Sequence, residues 1–218
     1  GYEGPGAIDM LTQSLEFATT GGMGLEEAMS GVVAISKIYG VEGNKLKEVL
    51  ASLNTVENAT GASMQDLNIA IQEAGSVAKT SGVDVNELSA MMAALRERAI
   101  PAGEAANGLK TIFTRLRSET DEARAIYEKY GITVQEGNGQ LKEADEILMD
   151  LAEVWPKLTD VEREELAQAN AGVYQKNKFL SLMDDLNSET STYAKTLDAL
   201  GDSESGVADY TNEMNIFL

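Results

Sequence analysis

The side chains that could do chemistry in this chain are carboxylates. Asp121-Glu122, Glu164-Glu165 and Asp184-Asp185 are adjacent acidic pairs, and two carboxyl groups facing each other across a cleft are the working parts of a glycoside hydrolase. Neighbours on a helix point about 100° apart, so these pairs read as solvated helix faces rather than as an acid and its partner. The chain has no cysteine and no histidine. That removes disulfides, thiolate and imidazole metal sites, cysteine nucleophiles and histidine-based triads. Gly137-Asn138-Gly139 invites comparison with a calcium-binding loop. Setting Gly139 at the sixth position of such a loop, however, puts Val134 where a carboxylate ligand is required. No G-x-x-x-x-G-K phosphate cradle is present. Trp155 reads as a core anchor rather than a platform for a sugar ring. The expectation is a chain without catalytic residues, cofactor or metal.

Composition narrows the partners. Lys and Arg number 17 against 36 Asp and Glu, for a formal net charge of −19. Binding a phosphate backbone needs clustered cations, so tight nucleic-acid binding is not expected. Apolar residues make up 43% of the 218 and aromatics 6%, enough for a core of Leu, Ala, Ile, Val and nine Met. No run approaches the ~18 apolar residues of a membrane span, and no signal peptide is visible. The length suits one large domain or two small ones. The chain opens GYEGPG without Met and stops at MNIFL, which reads as a piece of a longer protein.

What must position any functional residue is a series of short amphipathic helices. Leu88, Met91, Met92 and Leu95 follow the spacing i, i+3, i+4, i+7 that puts four side chains on one helix face. Leu109, Ile112, Phe113 and Leu116 repeat it 21 residues later, and Gly82 and Gly103 precede the two sets at the same separation. Going back by 21 finds Leu67, Ala70, Ile71 and Ala74 after Gly61, and Leu46, Val49, Leu50 and Leu53 after Gly40. Leu25, Ala28, Met29 and Val32 make a fifth, weaker copy, with Thr19 in the glycine slot. A helix of about 15 residues is marginal alone in water, so the copies are expected to stack, each covering its neighbour. Leu46, Leu67, Leu88 and Leu109 would then share one buried seam, with Asn86 and Glu87 on the outer side of their helix.

Capping signals set the bounds. The spacing predicts a short helix through Ile8 to Phe17 after a loose lead-in at 1–6, then helices over about Leu25–Ile38 and Lys45–Ala59. A fourth starts at Ser63 with Asp66 three residues on and stops at Thr80-Ser81-Gly82. Asp84 with Glu87 starts a fifth, reaching about Arg98, and Pro101 suits the first turn of the sixth. After Arg117 the character changes. A polar helix from Thr120 closes at Gly131, and two β-like runs around Gly137-Asn138-Gly139 predict a small β-hairpin near residues 132–141. Helix resumes from Ala144 to Trp155-Pro156, and Thr159 with Glu162 caps another that reaches about Ala169. Helices over Val173–Leu186, Glu189–Leu200 and Ser205–Phe217 complete the reading. The expected fold is all-α, a bundle or stack of short helices in 21-residue repeats with that one hairpin. It divides into a helical repeat region, 1–118, and a hairpin-containing helical region, 119–218, in one continuous assembly.

From Gly61 to Leu186 the chain resembles the core region of phage tail tape measure proteins. AKTSGVDVNELSAMMAALRERAI followed by PAGEAANGLKTIFTRL is similar to that family's turn, helix, second Gly-x-Ala turn and second amphipathic helix. Gly82, Leu88, Gly103, Ala105 and Leu109 carry this part, with Gly61 ahead of it. Gly131-Ile132-Thr133-Val134 with Gly137, Gly139 and Leu141 is similar to its hairpin, and Ala171-Gly172-Val173-Tyr174 to a later station. Glu104 departs from the pattern, standing where relatives often have a small polar residue. The resemblance implies a structural protein inside the phage tail, acting in length determination, assembly and genome ejection. It implies partners among other tape measure copies, the tail tube, tail-tip or baseplate proteins and assembly chaperones. A homo-oligomer in the virion tail follows, made in the host bacterial cytoplasm. Two other readings stay open on the residues alone: a peptidoglycan-degrading module of a tail protein, and a helical-repeat adaptor unrelated to phage.

Overall fold

A computed structural model of the chain describes residues 5–118 and 120–201. The expected helix at Ser205–Phe217 and most of the lead-in lie outside the described residues. Among the described residues ten α-helices follow one another: α1 (Pro5–Thr20), α2 (Leu25–Tyr39), α3 (Asn44–Ala59), α4 (Met64–Thr80), α5 (Val85–Glu97), α6 (Ala102–Leu116), α7 (Asp121–Tyr130), α8 (Ala144–Val154), α9 (Asp160–Leu186) and α10 (Thr192–Gly201). A single 3₁₀ turn, Trp155–Lys157, joins α8 to α9.

The starts obey local chemistry. Ser63 Oγ accepts from the Asp66 N–H while the Asp66 carboxylate accepts from the Ser63 N–H, both at 3.1 Å. Asp84 and Glu87, and Thr159 and Glu162, form the same reciprocal boxes at α5 and α9. Gly40 and Gly131 end α2 and α7 in the left-handed conformation.

The four repeat leucines, Leu46, Leu67, Leu88 and Leu109, are all buried. In the weaker fifth copy Ala28 and Val32 are buried while Leu25 and Met29 are exposed. The stacking differs from a simple succession of neighbours. α2 touches α4, α4 touches α6 and α6 touches α9, so these form one row. α3, α5 and α10 contact one another on the other side. Each copy therefore packs on the next but one as well as on its successor. The glycines agree: Gly40 and Gly82 have φ of +68° and +90°, whereas Gly61 and Gly103 are not left-handed. The structural unit is a pair of helices, 42 residues, although the turns are not uniform, since Gly22 and Gly43 also have positive φ and Ala99 has φ +58°. α5 lies in the middle and is buried almost all round, from Val85 through Leu95.

No strand forms among the described residues. The expected hairpin at 132–141 is a loop with one antiparallel bridge, Gln135 to Leu141, closed by Glu136 N–H to Gln140 O at 2.7 Å and Lys142 N–H to Val134 O at 3.0 Å. The Gly-Asn-Gly turn is present, with Gly139 at φ +83°. Its arms are too short for a ladder, because Ile132 is still tied to the end of α7 and Glu143 already opens α8.

Candidate functional site

Two places gather the polar side chains that the repeats leave free. The first is the corner between α4 and α5. There the chain turns at Gly82, whose φ of +90° and contact with Glu143 leave no room for a side chain; a Cβ would fall 2.6 Å from Glu143 Cγ. The Ala144 N–H of α8 donates to Ser81 O at 2.9 Å, seating the first turn of α8 on this corner. Glu87 Oε2 accepts from the Asp84 N–H at 2.7 Å, and Asp84 Oδ1 accepts from the N–H groups of Asn86 and Glu87. The reading that placed Asn86 and Glu87 on the outer side is corrected, because both are half-buried. Glu87 in particular faces Asp145 of α8. Burial, followed by the charges of Asp84 and Asp145, pushes its carboxyl up to about 7.

The second is the break inside α9. Gly172 adopts φ +69° and ψ 172° and divides the helix into limbs at 160–171 and 173–186, as the spacing predicted. Arg115 of α6 lies against it, and its Nη1 donates to Ala169 O at 3.1 Å, satisfying the end of the first limb. Tyr127 Oη donates to Asn170 Oδ1 at 2.9 Å just before the break. Just after it, Val173 and Tyr174 point outward, Tyr174 91% exposed. A surface depression of about 510 Å3 is lined by Arg115, Thr120, Ala125, Glu165, Gln168 and Ala169.

The acidic pairs do not converge. Asp121 lies on the outer face of α7, and Glu164 and Glu165 are exposed on α9, Glu164 paired with Lys176. Asp184 is exposed. Asp185, by contrast, is buried and accepts from Ser191 Oγ and from the N–H groups of Thr192 and Tyr193, so it caps α10. Lys129 and the Thr159 cap hold the Glu162 carboxyl down at about 2. Among the described residues no three acidic side chains gather as a metal site, and no helix is long and apolar enough to cross a membrane. Trp155 is 4% exposed. It meets Phe179 edge-on at 6.0 Å, with Arg163 over its other side, which leaves no face for a sugar.

The motif residues are spread along the seams rather than gathered. Gly61 donates its N–H to Glu97 Oε1 at 2.7 Å. Gly103 lies in the first turn of α6, and Leu88, Ala105 and Leu109 are core. Gly131 and Gly139 make turns, and a Cβ added at Gly137 would point into open space. Glu104, the departure from the family pattern, reaches Lys178 of α9 at 3.2 Å. Sequence reasoning missed two close approaches. Gly31 of α2 lies so near Asn68 of α4 that a Cβ would overlap its Oδ1, and at Gly108 a Cβ would sit 2.9 Å from Lys178 Cγ. Both are glycines inside helices, a signal for close packing in its own right.

No solved structure matches the chain. The family model for phage-related minor tail proteins matches residues 1–172, from α1 to the break in α9. With most of its length covered, and in an all-helical frame, the chain belongs to the phage-related minor tail protein family.

Proposed function

We propose that this chain is the core segment of a tail tape measure protein, acting through protein contacts in tail length determination, tail assembly and genome ejection. The family match over residues 1–172 carries this reading. It is supported by the order of the phrases around Gly82, Gly103, Gly131 and Gly172. The partners it implies are other copies of the same protein, the tail tube, tail-tip or baseplate proteins and assembly chaperones. The test is in-frame removal of residues 5–201 from the parent gene, with tails examined by electron microscopy. Missing tails or tails of altered length are expected; tails of normal length and number would overturn the reading.

The same reading gives the segment no hydrolytic role. Asp121, Glu164, Glu165 and Asp184 are exposed and Asp185 caps α10, so no clearing of peptidoglycan in a zymogram is expected from the purified chain. Clearing that disappears on changing Glu164 and Glu165 to Gln would contradict this.

A further inference from the structure

The corner that seats α8 contains a conflict that its hydrogen bonds do not resolve. Asp145 Oδ1 is buried and receives no hydrogen bond from an amide, hydroxyl or ammonium donor. The first turn of α8, held by the Ala144 N–H on Ser81 O at 2.9 Å, brings Asp145 to face the Glu87 carboxyl, and among the described residues neither is paired with a cation. Two facing carboxylates, half out of water, cannot both ionise cheaply, whereas one shared proton turns the repulsion into a hydrogen bond.

The other groups facing the pair do not relieve it. Asp84, on Glu87's own helix, adds negative charge. Tyr39 from α2 and Tyr193 from α10 face it with phenols that burial pushes up, so both stay neutral. Lys79 of α4 sits over the Tyr39 ring, 5.9 Å from its centre.

We propose that Glu87 and Asp145 form a proton-operated latch between α5 and α8. Sharing one proton, they hold α8 on the α4–α5 corner; with both ionised, they loosen it. The proton is taken from or given to water, and no bond other than O–H changes. The sign follows from Glu87. Its folded pKa of about 7 lies above the ordinary 4.5, so docking is firmest at low pH and weakens as pH rises from 4.5 through 7. This inference stands apart from the tape measure reading, since it concerns one internal contact.

The test is amide hydrogen exchange on the whole chain at pH 5.5 and pH 8.5, corrected for intrinsic exchange, comparing α8 with α4. In the wild type the protection of α8 should fall on the order of ten-fold between the two, with α4 little changed. Glu87→Gln keeps an acceptor for the Asp84 N–H and supplies a donor for Asp145, so it should abolish the fall and protect α8 better at pH 8.5. Asp145→Asn should also abolish it and leaves the α5 cap untouched. Unchanged α8 protection in the wild type would overturn the proposal. So would an equal fall in α4, or a fall that survives in both variants.

Discussion

Leu88 is fully buried in α5, a helix with α4 and α6 on one side and α3 and α10 on the other. Leu88→Ala is expected to cost about 2–5 kcal/mol, because rigid neighbours cannot collapse into the space. Leu25→Ala, at the equivalent but exposed position of the weakest copy, is expected to stay within about 0.5 kcal/mol. Urea unfolding of the two variants checks both, and equal effects would count against the equivalence of the repeat positions. The leucines were legible in the sequence because helical spacing encodes which face a residue occupies. Glu87 was only half legible. Its role in the cap follows from Asp84 three residues before it. Its burial does not, because the covering helix, α8, returns from beyond α7 and the loop after it.

At the scale of the element, α9 is the instructive case. Gly172 holds a φ and ψ that L-residues with a side chain rarely adopt, and Arg115 stands within van der Waals contact of where a Cβ would go. Gly172→Ala is expected to destabilise the fold by about 1–3 kcal/mol, read by thermal or urea unfolding; a neutral result would mean that α9 can straighten. Such breaks are visible in sequence where glycine interrupts a pattern. The loop at 132–141 was misread for a related reason. Its turn residues are those of a hairpin, but the arms on each side are claimed by helix ends, and turn chemistry alone does not supply strand length. The alternating rows were hidden too, because a 21-residue period says that the helices are alike and not which one lies beside which.

For the whole molecule the governing quantity is the net charge of −19. With 17 cations for 36 acidic groups, ion pairs such as Arg96–Asp66 and Lys178–Glu104 can neutralise fewer than half of the carboxylates. Self-repulsion then opposes the compact state, and raising NaCl from 0.01 to 0.15 M shortens the screening length from about 30 to about 8 Å. The midpoint of thermal unfolding is therefore expected to rise over that range; a fall would mean that the attractive pairs dominate. The pairing of helices sets a rule of parity on how such a chain can lengthen. An extra helix spliced between α3 and α4 would move every later helix to the opposite row. It would part Gly31 of α2 from Asn68 of α4, and α3 from α5 and α10. Two extra helices would restore each to its own side, so growth of this fold is even-numbered.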